Sequence, residues 1–275
     1  MNRLITPILI LLVCLASACT PQPKQYTELD SRVVDAMASQ SILVQADHGE
    51  VNILESEDGH VEVGGQVLFA DDLDYQVNST EKQISIMAFT HRNIFSDVPL
   101  KMEVRVPKQM QVKVETDSAS VFVQAYQGNL EVASTSGNIT IEQMAGKLTL
   151  RSNRGTITVR ESSGIISIVG NYGALNAQNV HGETAVSTIM GNVVFDGSIQ
   201  MGDTVRLETD HGSVSVNLSL DSSLSLDVRS TSGDVACMLP GINSSLRWCN
   251  GEFNSGGGSL DIRTVSGAIT LQTIP

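Results

Sequence analysis

Glycine recurs at 128, 137, 146, 155, 164, 173, 182 and 191, and between these marks the chain repeats one pattern of apolar and polar positions. In the same register Met110 and Ala119 stand where earlier glycines would fall, so ten nine-residue units run on from 110. The second and fourth positions after each mark run from Val112 and Val114 to Val193 and Phe195. Nineteen of these twenty are apolar, against about eight expected from a chain that is 41% apolar. Thr184 is the exception. The position between them is polar in seven of the ten units: Lys113, Glu131, Thr140, Thr149, Thr158, Ser167 and Asn176.

Alternation with period two marks a strand with one buried face, and β-branched residues suit it. The residues closing each unit, such as Ser134-Thr135-Ser136 and Ser152-Asn153-Arg154, are turn formers, and glycine after them suits a positive φ. Each unit therefore predicts a five-residue strand and a four-residue turn. An antiparallel meander would need a second layer over its apolar face. The only weak helical stretch, Ser31 to Ser39, cannot supply one. A stack in which two strands face each other across a shared core needs no cover. The seventh position after each mark alternates Tyr126, Thr135, Met144, Asn153, with Ser162 breaking the rhythm. The pattern thus predicts an all-β chain: a right-handed parallel β-helix, or β-solenoid, with two short strands per ~18-residue coil.

The N-terminus changes the picture. Arg3 precedes an apolar run from Leu4 to Val13 that is too short to span a bilayer and reads as a signal sequence. The ending Leu15-Ala16-Ser17-Ala18-Cys19 resembles the bacterial lipobox, whose cysteine is acylated. That resemblance implies lipidation at Cys19 and a membrane partner reached through the lipid. Thr20 in place of aspartate implies sorting to the outer membrane. The organisation expected is a signal peptide over 1–18, a lipidated tether over 19–30, an irregular β section over 31–106, and the regular solenoid with a capping loop over 107–275. After export only Cys237 and Cys249 remain beside Cys19, and they read as one disulfide, with zinc a weak alternative. A net charge of −13 weighs against nucleic acid as a partner.

Several short motifs resemble the adhesin-like β-helix family of bacterial envelope proteins. They are Val106-Pro107-Lys108 followed by Val112-Lys113-Val114-Glu115-Thr116, the Thr-Ser-Gly turns at 135–138 and 231–234, and the closing Leu260-Asp261-Ile262-Arg263-Thr264-Val265-Ser266-Gly267. The likeness spans roughly 41–275. It implies a β-helix, often lipid-anchored, without catalytic residues to carry over.

Candidate chemistry is sparse. No aspartate lies between residues 118 and 195, so the calcium-caged turns of β-rolls do not fit. Glu142 and Glu161 are nineteen apart, one residue off the coil, and read as solvated turn residues rather than an acid–base pair. Asp210, His211 and Ser213 lie too close in sequence to make a triad with an oxyanion hole. Asp71, Asp72 and Asp74 read as a solvated acidic loop, and His60, His91 and His181 lack metal spacing. The reading therefore assigns no catalytic residue, metal or cofactor. The loop holding Arg247, Trp248 and Phe253 contains the only tryptophan. It either recognises a sugar or protein, or caps the open end of the stack; capping is favoured. The function expected is a non-enzymatic outer-membrane lipoprotein that binds an unknown protein or glycan through its surface, facing either the periplasm or the cell exterior. A polysaccharide-active enzyme or a periplasmic scaffold are the alternatives.

Overall fold

In a computed structural model, residues 26–36, 41–68, 70–90 and 100–274 are described. Cys19 and the signal segment lie outside them. The first part holds β1 (Thr27–Glu28), β2 (Arg32–Asp35), β3 (Ser41–Ala46), β4 (Glu50–Ser56), β5 (His60–Val67), β6 (Leu73–Ser79), β7 (Gln83–Thr90) and β8 (Leu100–Pro107). The regular part holds β9 (Gln111–Thr116), β10 (Ser120–Gln124), β11 (Gln127–Ser134), β12 (Ile139–Glu142), β13 (Ala145–Ser152), β14 (Ile157–Arg160), β15 (Ser163–Gly170), β16 (Leu175–Gln178), β17 (His181–Thr188) and β18 (Val193–Gly197). The last part holds β19 (Thr204–Thr209), β20 (Val214–Ser219), β21 (Leu224–Ser230), β22 (Val235–Cys237), β23 (Asn243–Ser245), β24 (Trp248–Phe253), β25 (Gly258–Thr264) and β26 (Ile269–Ile274). No α-helix occurs among the described residues. The weak helical stretch at 31–39 is strand over Arg32–Asp35, where Val34 packs toward the core. Residues 241–258, read from sequence as a loop, carry β23 and β24.

The strands form two thirteen-stranded sheets. From β9 to β18 successive strands alternate between a front sheet, containing β15, and a back sheet, containing β14. Within this run each strand pairs in parallel with the strand eighteen residues on: Leu148 lies between Leu130 and Ile166 in front, and Ile157 lies between Ile139 and Leu175 behind. The inward positions meet in the single core between the sheets, and all twenty are no more than 2% exposed. Even Thr184 is buried, with a hydroxyl that finds no hydrogen-bond partner. The strands are not the equal five-residue elements the repeat suggested. The paired elements alternate between eight residues, as in β11, and four, as in β12. Front strands keep pairing back through their glycine, as Gly146 does with Gly128.

Two kinds of turn explain the difference. Where a front strand passes to the back sheet, the side chain of its last residue closes the turn. Ser134 Oγ accepts the Gly137 N–H at 2.8 Å, as Ser152 does for Gly155, Thr209 for Gly212 and Thr264 for Gly267. Glycine is needed there for space rather than for φ: a Cβ on Gly155 would lie 2.0 Å from the Gly137 carbonyl oxygen of the adjoining layer. In the opposite turn a left-handed residue, such as Asn179, leads into a glycine of positive φ, such as Gly182 at +99°. The sequence expectation of positive φ thus holds for alternate glycines only. Tyr126 and Met144 fill this second turn from inside, and the Tyr126 hydroxyl donates to the Met110 carbonyl at 2.5 Å. Ser162 substitutes for an apolar residue there by bonding the Arg160 carbonyl and the Met144 N–H.

Stacking departs from chain order at both ends. β7 and β8 lie outside β3 and β4, and the chain then returns to lay β9 and β10 on their other side. At the far end β25 and β26 insert between β19/β20 and β21/β22. Antiparallel strands finish the front sheet at both ends, β6 on β7 and β24 and β23 beyond β21, and β5 on β8 does so behind. Such reversals, with short outermost strands, blunt the edges that a parallel stack would offer to other chains.

Candidate binding groove

The outer face of the front sheet carries one side chain per strand just before the Ser/Thr turn. Because the ladder is in register, these side chains form a single file. It runs from Glu115 through Ala133, Arg151 and Val169 to Ser187 and Glu208. The inserted β25 then adds Arg263, β21 adds Arg229, and antiparallel β24 adds Trp248. Nine strands at the usual spacing make a file about 38 Å long.

Three recesses lie along this file. The first, about 430 Å³, lies around Arg151, Asn153 and Val169. The second, about 530 Å³, shares Val169 and Asn171 with it and extends past Ile189 and Glu208 to Arg263 and Val265. The third, about 350 Å³, is lined by Arg229, Ser230, Arg247, Trp248 and Asn250. They form an open, partly apolar groove: Val169, Ile189 and Val265 are 38%, 45% and 46% exposed. All three line the second recess, so their apolar surface is grouped there rather than scattered singly.

Charges in the groove are held by neighbours on the same face. Arg206 binds Glu208 at 2.6 Å, and Asp227 accepts from Arg229 at 2.9 Å and from Arg263 at 3.2 Å. Arg263 also reaches Asp261 at 3.3 Å. Exposed pairs of this kind add little stability. Their effect is to fix guanidinium and carboxylate groups in a flat, alternating array beside Trp248.

The three residues of the predicted recognition loop part company. Arg247 is exposed and donates to the Thr231 carbonyl at 2.7 Å. Trp248 is 40% exposed and ends the groove. Phe253 is buried opposite Leu224 and belongs to the core. Cys237 on the back sheet and Cys249 on the front sheet meet at this end as free thiols, near enough for one to bond to the other. That bond pushes the Cys249 thiol up, with burial adding to it, and pulls the Cys237 thiol down.

The other candidates are dispersed. Glu142 accepts from Arg160 and Glu161 accepts from Gln143, so each carboxylate is engaged by a side chain of the adjoining layer. His211 contacts Ser266 at 2.9 Å, while the Ser213 hydroxyl donates to Asn192. His60 lies 2.8 Å from Asp35 and His181 lies 3.2 Å from Asp203. Burial raises the Asp203 carboxyl, but the Gln200 and Gly182 amides and His181 outweigh it and hold the group below the ordinary aspartate range. Among the described residues no three His, Cys, Asp or Glu side chains are grouped to hold a metal, and no helix is long and apolar enough to cross a membrane.

Sequence reasoning missed Arg151, Arg229 and Arg263. A signal for them existed: each stands four residues before a turn glycine, at 155, 233 and 267. The segments Leu226-Asp227-Val228-Arg229-Ser230 and Leu260-Asp261-Ile262-Arg263-Thr264 are close copies.

Residues 40–272 match the family model described as Toastrack DUF4097. Among solved structures, a "putative adhesin" from Bacteroides fragilis is 12% identical, with a TM-score of 0.48, covering 90% of this chain and 98% of that one. A "putative lipid binding protein" from Parabacteroides distasonis is 10% identical, with a TM-score of 0.43, covering 88% and 96%. A "putative cell adhesion protein" from Clostridium sporogenes is 12% identical, with a TM-score of 0.29, covering 91% and 100%. At these scores the likenesses carry nothing about ligand or role. Among curated proteins nothing matches.

Proposed function

The chain belongs to the Toastrack DUF4097 family, and we propose that it is a non-enzymatic binding protein of the bacterial envelope that engages an extended partner along the front-sheet groove. The observation that carries this reading is the continuity of the groove. Side chains from nine strands line up in one open file, with apolar residues left exposed in its middle and a tryptophan at its end. Such a surface suits a chain-like ligand better than a small molecule, which calls for an enclosed pocket. Adhesion to a surface polymer is the role that fits best.

In this reading the stack is a right-handed solenoid of two strands per coil. The eighteen-residue pairing offset and the alternation of strands between sheets support two strands per coil. The general preference of parallel crossovers supports the hand. Cys19 carries lipid and anchors the protein at the outer membrane; residues 20–25 follow it before the described chain begins. Cys237 and Cys249 form a disulfide after export, an assignment favoured by their neighbouring thiols on opposite sheets.

The test is retention of isolated envelope polymers and whole cells by immobilised protein. Trp248→Ala and Val169→Asp should each reduce retention, whereas Val33→Asp, on an exposed strand far from the groove, should not. Equal retention by all three variants would remove the groove from consideration. Cys19→Ala should release the protein from the membrane fraction, and unchanged partition would exclude the anchor.

A further inference from the structure

Resting on the groove reading, we infer that its Trp248 end is a subsite for an acidic sugar unit, with the sugar ring against the indole and its carboxylate on Arg247. The protein as a whole is acidic, at −13, yet the recess lined by Arg229, Ser230, Arg247, Trp248 and Asn250 contains no carboxylate. Arg229 is neutralised by Asp227. Arg247 is not neutralised: it donates to the Thr231 carbonyl and, among the described residues, has no ion-pair partner. It is thus an uncompensated guanidinium beside an exposed aromatic. The fork geometry of arginine matches a carboxylate in bidentate fashion. The indole supplies an apolar face for a sugar ring. Exposed Asn250 offers an amide for ring hydroxyls, while the buried Ser230 hydroxyl is taken up by Gly233 and Gly267.

The rest of the groove sets the spacing of charge along the ligand. Moving away from Trp248, the file passes two arginines, then Glu208, then neutral Ser187 and Val169, and reaches Arg151. A polymer with a negative charge on every unit would meet Glu208 and the neighbouring Asp210 at close range. A polymer whose carboxylates are separated by neutral sugars places them at Arg247 and Arg151 and passes Glu208 with an uncharged unit. The ligand class is therefore a polysaccharide in which uronic acid alternates with a neutral sugar.

The experiment titrates the full-length protein in detergent with an octasaccharide of alternating uronic acid and N-acetylhexosamine, and with its carboxyl-reduced counterpart. The acidic form should bind about tenfold more tightly than the reduced form, and the difference should shrink at high salt. Arg247→Ala should abolish the difference, and Arg247→Lys should recover part of it. Trp248→Ala should weaken both forms, and Arg154→Ala, outside the three recesses, should change neither. Circular dichroism confirms that each variant is folded. Equal affinity for the acidic and reduced forms overturns the carboxylate assignment while leaving a glycan groove in place. Preference for an acidic peptide over either sugar overturns the assignment to a glycan. Failure to bind any sugar, with envelope retention still lost in Trp248→Ala, overturns this inference and spares the groove.

Discussion

A chain ending at Gly257 should fail to fold, although it lacks only the final pair of strands. In a stack laid down in chain order, removing the last pair would expose one interface and leave a shorter protein. Here β25 and β26 are internal, with β19 and β20 on one side and β21 and β22 on the other. Four side chains of the inserted pair, Leu260, Ile262, Ile269 and Leu271, are each no more than 1% exposed. At about 1.5–3 kcal/mol each, their burial contributes about 6–12 kcal/mol. The truncation also strands the cap, because β21 and β22 lose their parallel partners. Typical domain stability is about 5–15 kcal/mol, so the loss is comparable to the whole. Urea unfolding followed by far-ultraviolet circular dichroism should show a cooperative transition for the full chain and none for the truncated one. Limited proteolysis should cut the truncated chain first within 224–253. A truncated protein that unfolds cooperatively, within about 2 kcal/mol of the parent, would show that the inserted position of β25 and β26 is wrong.

Three further predictions concern the interior. Gly155→Ala forces a Cβ to 2.0 Å from the Gly137 carbonyl, so two layers must separate, at a cost of about 2–4 kcal/mol in urea. Gly59→Ala, which meets nothing within 4 Å, should cost only about 1 kcal/mol for its φ of +75°, and equal costs at the two sites would mean the layers are not in close contact. Thr184→Val replaces an unpartnered buried hydroxyl by a methyl of the same shape and should raise stability by about 1 kcal/mol; a loss on denaturant titration would indicate a partner for that hydroxyl. Oxidised protein should exceed its reduced form or Cys249→Ser by about 2–4 kcal/mol, and intact-mass measurement on envelope-extracted protein should show the loss of two hydrogens. Two free thiols in that material would dispose of the bridge.

The repeat was legible because it is local. Ile139, Ile157 and Leu175 alternate with polar neighbours over a few residues, and a period of two leaves only one way to bury them. The turns were half legible. Ser152 and Gly155 could be recognised as turn formers, but the reason for the glycine lies in the layer beside it, eighteen residues away in sequence. Trp248 could be singled out as the sole tryptophan, whereas its separation from Phe253 depends on which side of β24 faces the core.

By itself the sequence determined the strand periodicity, the residues that point inward and the Ser/Thr-Gly turn formers. All of these rest on the identity of residues within a few positions of one another. Only the tertiary structure decided the order of layers at the two ends and the alignment of Arg229, Arg263 and Trp248 in one file. The physical reason is that layers are joined through backbone hydrogen bonds, which are the same for every residue. A ladder built from them carries no label in the sequence to say which strand must lie next to which.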